Sequence, residues 1–117
     1  MCIRDSAWAD PNFSAAVRAT GRKKLIMDAV TTDICLVFPA IGAVREGFDV
    51  LAVLDASGSG FDVQEELARR RMAMAGVVLT TTNTAVAELV QDWSTPQGSE
   101  LVPMIMASEP NTPGYVG

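Results

Sequence analysis

Cys35 is the one residue whose type and placement together suggest reactive chemistry. It closes the run Val30-Thr31-Thr32-Asp33-Ile34-Cys35. A thiol becomes a strong nucleophile once it loses its proton. The run lies between an apolar stretch that reads as a buried strand and a stretch that reads as a helix. In open α/β sheets, ligands gather at the carboxyl ends of strands. Backbone N–H groups at a helix N-terminus carry partial positive charge and favour a thiolate. Pro39 has no N–H to offer the carbonyl of Cys35, so a regular helix can begin only after the cysteine. The thiol is therefore expected on a strand-to-helix elbow rather than inside a helical turn. From position alone, a cysteine in an apolar stretch is also a common core residue.

Other chemistry-bearing groups are sparser. The chain has no His, which excludes His-based metal sites and Ser-His or Cys-His catalysis within it. The loop DASGSG at 55–60 follows a strand but has neither the GxGxxG nor the Walker A pattern, and reads as a turn and cap. Arg69, Arg70 and Arg71 form a short basic run on a helix. A solvated face or an oligomer contact fits them better than an anion site. Lys23 and Lys24 follow the first helix and read as helix-end charge. Met72 and Met74 read as core or interface filler.

The elements that position these groups alternate. Asp10 then Pro11 signals a helix start. Phe13, Ala16 and Val17 repeat at helical spacing, and Gly21 ends that helix. Residues 25–30 read as a strand buried on both faces, 36–46 as a helix closed by Gly47, and 48–54 as a strand. Asp62 is expected to cap a helix that ends at Gly76, followed by a strand over 77–80 and a helix over 84–93 capped by Asn83 or Thr82. Helices alternating with strands through short links mean a parallel sheet with crossover helices on both faces. Residues 94–117 are rich in Pro, Gly and Ser and read as a tail, with 101–106 a short apolar docking segment broken by Pro103. Three parallel strands leave an open apolar edge, so the rest of the sheet is expected from missing sequence or from another chain.

Bulk properties narrow the function. The 117 residues suit one domain at most, and 49% are hydrophobic and 20% charged, as in globular proteins. A net charge of −5 argues against nucleic acid and anionic membranes as partners, since both call for a basic patch. No apolar run approaches the roughly 18 residues that span a bilayer. No signal peptide is visible, so a cytoplasmic location is expected. The two cysteines, Cys2 and Cys35, are too few for a disulfide framework. The opening Met-Cys-Ile-Arg-Asp is what a common transposon-based sequencing adapter encodes in one frame. Residues 1–5 are read as that scar, with Ser6 the junction, so the chain is expected to begin in mid-gene.

The string TTDICLVFPA around Cys35 resembles the nucleophile motif of the isochorismatase-like cysteine hydrolases. The resemblance includes Ser6-Ala7-Trp8, ATGRKKLI at 19–26, EGFDV at 46–50, DASGS at 55–59 and AELVQDW at 87–93. These motifs share the family's order and spacing over about residues 6–93, identifying the C-terminal half of the domain.

The resemblance implies a Rossmann-like α/β/α sandwich on a six-stranded parallel sheet, of which about three strands are present here. It implies an Asp, Lys and Cys triad, with Cys35 the nucleophile that attacks an amide or related carbon and forms an acyl-enzyme. It implies a cis Val30–Thr31 peptide, with the Thr31 and Cys35 N–H groups forming the oxyanion hole. A non-proline cis bond costs about 2.5–4 kcal/mol, so its presence would be a functional signature. Trp8 is a candidate to line the substrate pocket, as aromatics beside this motif do in relatives. No metal or other cofactor is implied. The expected partners are a small-molecule substrate and, in the full-length parent, further copies of the same chain.

The departures from the family bear on activity. Its Asp lies upstream of this sequence, and its Lys falls where Cys2–Asp5 stand. Lys23, Lys24, Asp33 and Asp55 do not match either residue. The fragment alone is therefore expected to be inactive. The resemblance implies a small amide or related C–N compound as substrate, with nicotinamide, carbamoyl compounds and other small amides all open. Isochorismate itself is not implied, because that reaction does not need the Cys. The alternative is a non-catalytic α/β module that binds a partner or oligomerises through its open sheet edge. The missing Gly-rich fingerprint argues against a nucleotide binder.

Overall fold

The computed structural model describes residues 6–108. The adapter reading of residues 1–5 lies outside them. The chain divides into two compact units, Met1–Ala85 and Val86–Gly117.

The first unit starts with a short 3-10 turn, Ala7–Ala9, and helix α1, Pro11–Ala19. Asp10 caps α1: its carboxylate accepts the Asn12 N–H at 2.8 Å, and Pro11 takes the first helical position. Gly21 closes the region in the left-handed conformation (φ +69°) that suits glycine. The apolar stripe expected on α1 is only partly buried: Val17 packs against the core, but the rest of the stripe does not. Phe13 is 43% exposed and Ala16 is exposed, whereas the buried residue is Ser14.

Three parallel strands follow: β1, Lys24–Met27; β2, Asp49–Val53; and β3, Val78–Thr80. Their spatial order is β1-β2-β3, with Ile26 opposite Leu51 and Leu51 opposite Val78. Helices α2, Val37–Arg45, and α3, Asp62–Ala75, are the two crossovers. When strands advance in one direction, right-handed crossovers lay both helices on one face. That face carries the core. Val50 and Ala52 of β2 cluster with Leu36, Val37, Ala40, Ala43, Ala68 and Met72, and Leu25, Met27 and Leu79 pack at its margin. Met72 is fully buried whereas Met74 is 89% exposed, so only the first is core filler.

The other face follows from the alternation of side chains along a strand. It carries the row Ile26, Leu51 and Val78. Leu51 is buried, but Ile26 is 47% and Val78 54% exposed. The expectation that the first strand is buried on both faces is thus corrected. It is shorter than the 25–30 predicted, and it has one neighbour rather than two. Only the central strand β2, buried from Val50 to Val53, has the doubly covered character of a parallel-sheet interior.

Trp8 closes one end of the core. Its ring packs edge-on against Phe48 at 5.4 Å and Phe13 at 6.2 Å between centroids. Its indole N–H donates to Glu46 Oε1 at 3.0 Å. It lies so close over Gly42 of α2 that a Cβ there would come within 3.1 Å of the indole. Arg18 also pairs with Glu46, joining the end of α1 to the end of α2.

Helix α3 ends as expected at Gly76, left-handed at φ +96°. Its start differs: Phe61 holds the cap position and Asp62 lies in the first turn, so the expected Asp62 cap is not formed. Helix α4, Thr82–Val90, begins two residues before the expected start. Thr81, rather than Thr82 or Asn83, precedes it, and the Thr84 N–H donates to the Thr81 hydroxyl at 3.4 Å. Asp55 Oδ1 accepts from both the Thr82 N–H at 2.8 Å and the Thr82 hydroxyl at 2.9 Å.

The second unit contains a helix where the sequence suggested an irregular tail. Helix α5 spans Pro96–Ser108 and carries Pro103 inside it. Thr95 caps it: its hydroxyl accepts the Gly98 N–H at 3.0 Å and its carbonyl accepts the Ser99 N–H at 2.9 Å. No described helix is long and apolar enough to cross a membrane.

Candidate active site

The sheet ends at Met27, and a short loop carries the chain to Thr31. Residues Thr32–Leu36 then form a π-helical turn that leads into α2. Its wide hydrogen bonds run from the Leu36 N–H to the Thr31 carbonyl and from the Val37 N–H to the Thr32 carbonyl. Pro39, the third residue of α2, explains why the turn is wide. A regular helix would pair the N–H at position 39 with the Cys35 carbonyl, and the pyrrolidine ring both lacks that donor and crowds that oxygen. The regular α-helix therefore starts after Cys35, as expected. The cysteine itself lies in a helical turn one residue wider than an α-turn, which corrects the simple elbow. Such π-turns recur at functional sites.

Cys35 is free and exposed at the end of this turn. Its N–H points at the Thr31 hydroxyl, 3.4 Å away, a long and weak contact. Thr31 and Cys35 are thus brought together. The Val30–Thr31 peptide, expected to be cis, is trans: no cis bond occurs among the described residues. Thr31 enters the turn in ordinary extended geometry, φ −121° and ψ 123°. Among the described residues, no carboxylate or ammonium is hydrogen-bonded to the Cys35 sulfur.

The first residues of the turn are held from outside. Thr32 is fully buried. Its N–H donates to the Gly58 carbonyl at 3.1 Å and its hydroxyl donates to Glu65 Oε1 at 3.2 Å. The Asp33 N–H donates to Ser59 Oγ at 3.2 Å, and that hydroxyl donates in turn to Glu65 Oε2 at 2.7 Å. Ser57 makes a matching clip one step earlier. Its hydroxyl donates to the Val53 carbonyl at 2.9 Å and accepts the Ala29 N–H at 3.1 Å. Both serines lie in the DASGSG loop, so that loop anchors the approach to Cys35.

Glu65, near the start of α3, completes the network. Arg69, one turn further along, donates to Oε1 at 3.1 and 3.0 Å. Burial pushes the Glu65 carboxyl up, but hydrogen bonds from Ser59, Thr32 and Arg69 outweigh it and hold the group below the usual carboxylate range. Sequence reasoning missed Glu65, Ser57 and Ser59. A usable signal was present: two hydroxyls two residues apart in a Gly-spaced loop, then a carboxylate in the first turn of the next helix.

Trp8 is not brought to this site. It packs on Gly42, seven residues past Cys35, or about 10 Å along a helix axis at 1.5 Å per residue. Arg69, Arg70 and Arg71 are all engaged locally, with Glu65, Glu66 and the Phe38 ring respectively. A cleft of about 230 Å³ lined by Arg18, Arg22, Lys23, Glu46 and Phe48 lies beyond the opposite end of β1 from Cys35.

The Isochorismatase domain family matches residues 3–84 of the chain. The chain belongs to the isochorismatase family. It is 43% identical over 88 residues to the probable hydrolase YcaC of Escherichia coli, a match covering 75% of this chain and 42% of YcaC. The solved structure of Escherichia coli YcaC, an octameric hydrolase of unknown specificity, superposes with a TM-score of 0.79 at 38% identity. That superposition covers 92% of this chain and 57% of YcaC. YcaC from Pseudomonas aeruginosa, solved with hexane-2,5-diol and covalent acrylamide, gives a TM-score of 0.75 at 35% identity, covering 88% of this chain and 57% of that one. The chain thus spans about half the length of these family members.

Proposed function

We propose that Cys35 is the nucleophile of an isochorismatase-family hydrolase acting on small amides or related C–N compounds. One observation carries the reading: Cys35 is exposed on a wide turn, beyond the carboxyl end of a parallel strand and at the entrance to a helix. There the thiolate attacks the amide carbon. The amine leaves with a proton, and water then cleaves the thioester to release the acid and regenerate the thiol. The N–H groups of Thr31 and Cys35 are the proposed oxyanion donors. The long Cys35-to-Thr31 contact leaves the Cys35 N–H easy to redirect. The covalent acrylamide on the Pseudomonas YcaC supports the reading by analogy, because acrylamide is an electrophile to which thiolates add.

The 117 residues by themselves are proposed to be inactive, because no residue here matches the family's Asp or Lys. Loss of triad partners removes most of the rate in other systems. Homo-oligomerisation and a cytoplasmic location remain parts of the same proposal. The octamer of Escherichia coli YcaC supports the first. The half-exposed Ile26 and Val78 row favours the second reading, a module that associates through its uncovered sheet.

The test uses the protein joined to its upstream reading frame. An Asp after a strand and a Lys just ahead of Ser6-Ala7-Trp8 are expected there. In that protein, Cys35→Ala should abolish both amide turnover and acrylamide labelling. Turnover surviving in Cys35→Ala would remove the nucleophile role and leave the associating module as the better account.

A further inference from the structure

We propose that Glu65 is a positioning residue for Cys35, acting through Thr32, Ser59 and the wide turn that they hold. The proposal rests on the nucleophile reading for its consequence, though not for its geometry. Glu66, its neighbour, shows what an ordinary helix carboxylate does here. It pairs with Arg70 four residues on, and both side chains are more than half exposed, at 61% and 68%. Glu65 makes the equivalent pair with Arg69, but its side chain is only 18% exposed. Two of its donors lie off the helix altogether.

Those two donors are what give Glu65 its reach. Thr32 is the first residue of the turn, and Ser59 holds the N–H of Asp33, the second. Cys35 follows two residues later in the same turn. Burying a carboxylate is costly unless it is well hydrogen-bonded, and each oxygen here has a hydroxyl donor. A π-turn is one residue wider than an α-turn. If its first two residues lose their anchor, a slip of one residue turns a side chain by about 100° around the axis. Glu65 touches neither the sulfur nor any reacting atom. It fixes the direction in which the sulfur points.

The test uses the full chain with Cys2→Ser, which leaves Cys35 as its single thiol. Two quantities are read: the pH profile of Cys35 alkylation by iodoacetamide, and hydrogen exchange at the Asp33 and Cys35 amides. Glu65→Gln and Thr32→Val should each change the alkylation rate near neutral pH by about threefold or more, with a displaced profile. Both should speed exchange in the turn by about tenfold. Glu66→Gln, which removes a similar helix pair, should leave both readouts unchanged, and Glu65→Asp should recover part of the profile. Alkylation profiles and turn exchange rates that both superimpose on the parent in Glu65→Gln and Thr32→Val would overturn the proposal. If Glu65→Gln does not fold, Thr32→Val decides alone, since it deletes one hydroxyl at nearly constant volume. A parent Cys35 that alkylates no faster than free cysteine counts against the nucleophile reading. Faster turn exchange in Thr32→Val would still support Glu65 as the anchor.

Discussion

The Glu65 carboxylate accepts the Thr32 hydroxyl at 3.2 Å across 33 residues of chain. Thr32 is completely buried, so its hydroxyl has no access to water as an alternative partner. Removing the acceptor therefore leaves a stranded donor, a defect worth about 1–3 kcal/mol. Glu65→Gln keeps the shape but has only one acceptor oxygen for two hydroxyls. We expect it to lower stability at neutral pH by an amount in that range, measured by urea unfolding.

The same carboxylate gives that loss a pH dependence. The folded Glu65 pKa is depressed by its hydrogen bonds with Ser59, Thr32 and Arg69, against the opposing effect of burial. Its contribution is therefore fully present above the unfolded value of about 4.3 and is lost as pH falls through the lower folded value. The stability gap between the parent and Glu65→Gln should be constant from pH 7 to about 5 and narrow below about 4. Glu46, held low by Arg18 and Trp8, and Asp92, held low by Ser94, contribute the same sign to the acid limb of the parent. They persist in the variant. A gap that widens as the solution is acidified would show that Glu65 does not titrate as described.

Trp8 and Gly42 make a second testable pair. Alanine in place of a helical glycine normally gains about 1 kcal/mol. Here the new Cβ would come 3.1 Å from Trp8 Cδ1 and 3.2 Å from Cγ. The indole cannot easily retreat, because Phe13 and Phe48 flank it and Glu46 holds its N–H. Overpacking of this kind costs about 1–3 kcal/mol. Gly42→Ala should therefore be net destabilising by about 1 kcal/mol, and the sign should reverse in a Trp8→Leu background. A raised melting temperature for Gly42→Ala alone would show that the indole yields.

Local signals carried much of the fold. Asp10-Pro11 and Gly76 mark helix ends because capping chemistry depends on a few adjacent residues. The apolar run at β2 shows the central strand because both its faces are covered. Cys35 was legible as the candidate site through its neighbours in sequence. The features that were missed depend on distant partners. Glu65 is unremarkable by its i,i+4 pairing with Arg69, and its importance comes from Thr32 and Ser59 in other segments. The exposure of Ile26 reflects an edge position, which strand composition cannot reveal. Helix α5 is hidden in the sequence because Pro103 has the signature of a helix breaker. The Thr95-Pro96 start signal was in the sequence, and the helix continues through the proline.

Gly98, in the second unit, lies directly against the backbone of residues 92 and 93. It is a buried glycine in the first turn of α5. Its N–H is taken by the Thr95 hydroxyl at 3.0 Å. A Cβ at this position would lie 2.7 Å from both the Asp92 carbonyl oxygen and Trp93 Cα. These are backbone atoms, and the preceding segment is already fixed by Asp92, which accepts from Ser94 and Thr95. Unlike the indole over Gly42, no flexible side chain end can move aside. The helix-propensity gain of about 1 kcal/mol is therefore outweighed by a clash costing about 1–3 kcal/mol or more. Gly98→Ala should open the turn at residues 92–98 and reduce amide protection along α5, while the amides of β2 keep their protection. Protection of α5 equal to the parent in Gly98→Ala would mean that the close approach of residues 92 and 93 is not a feature of the folded unit.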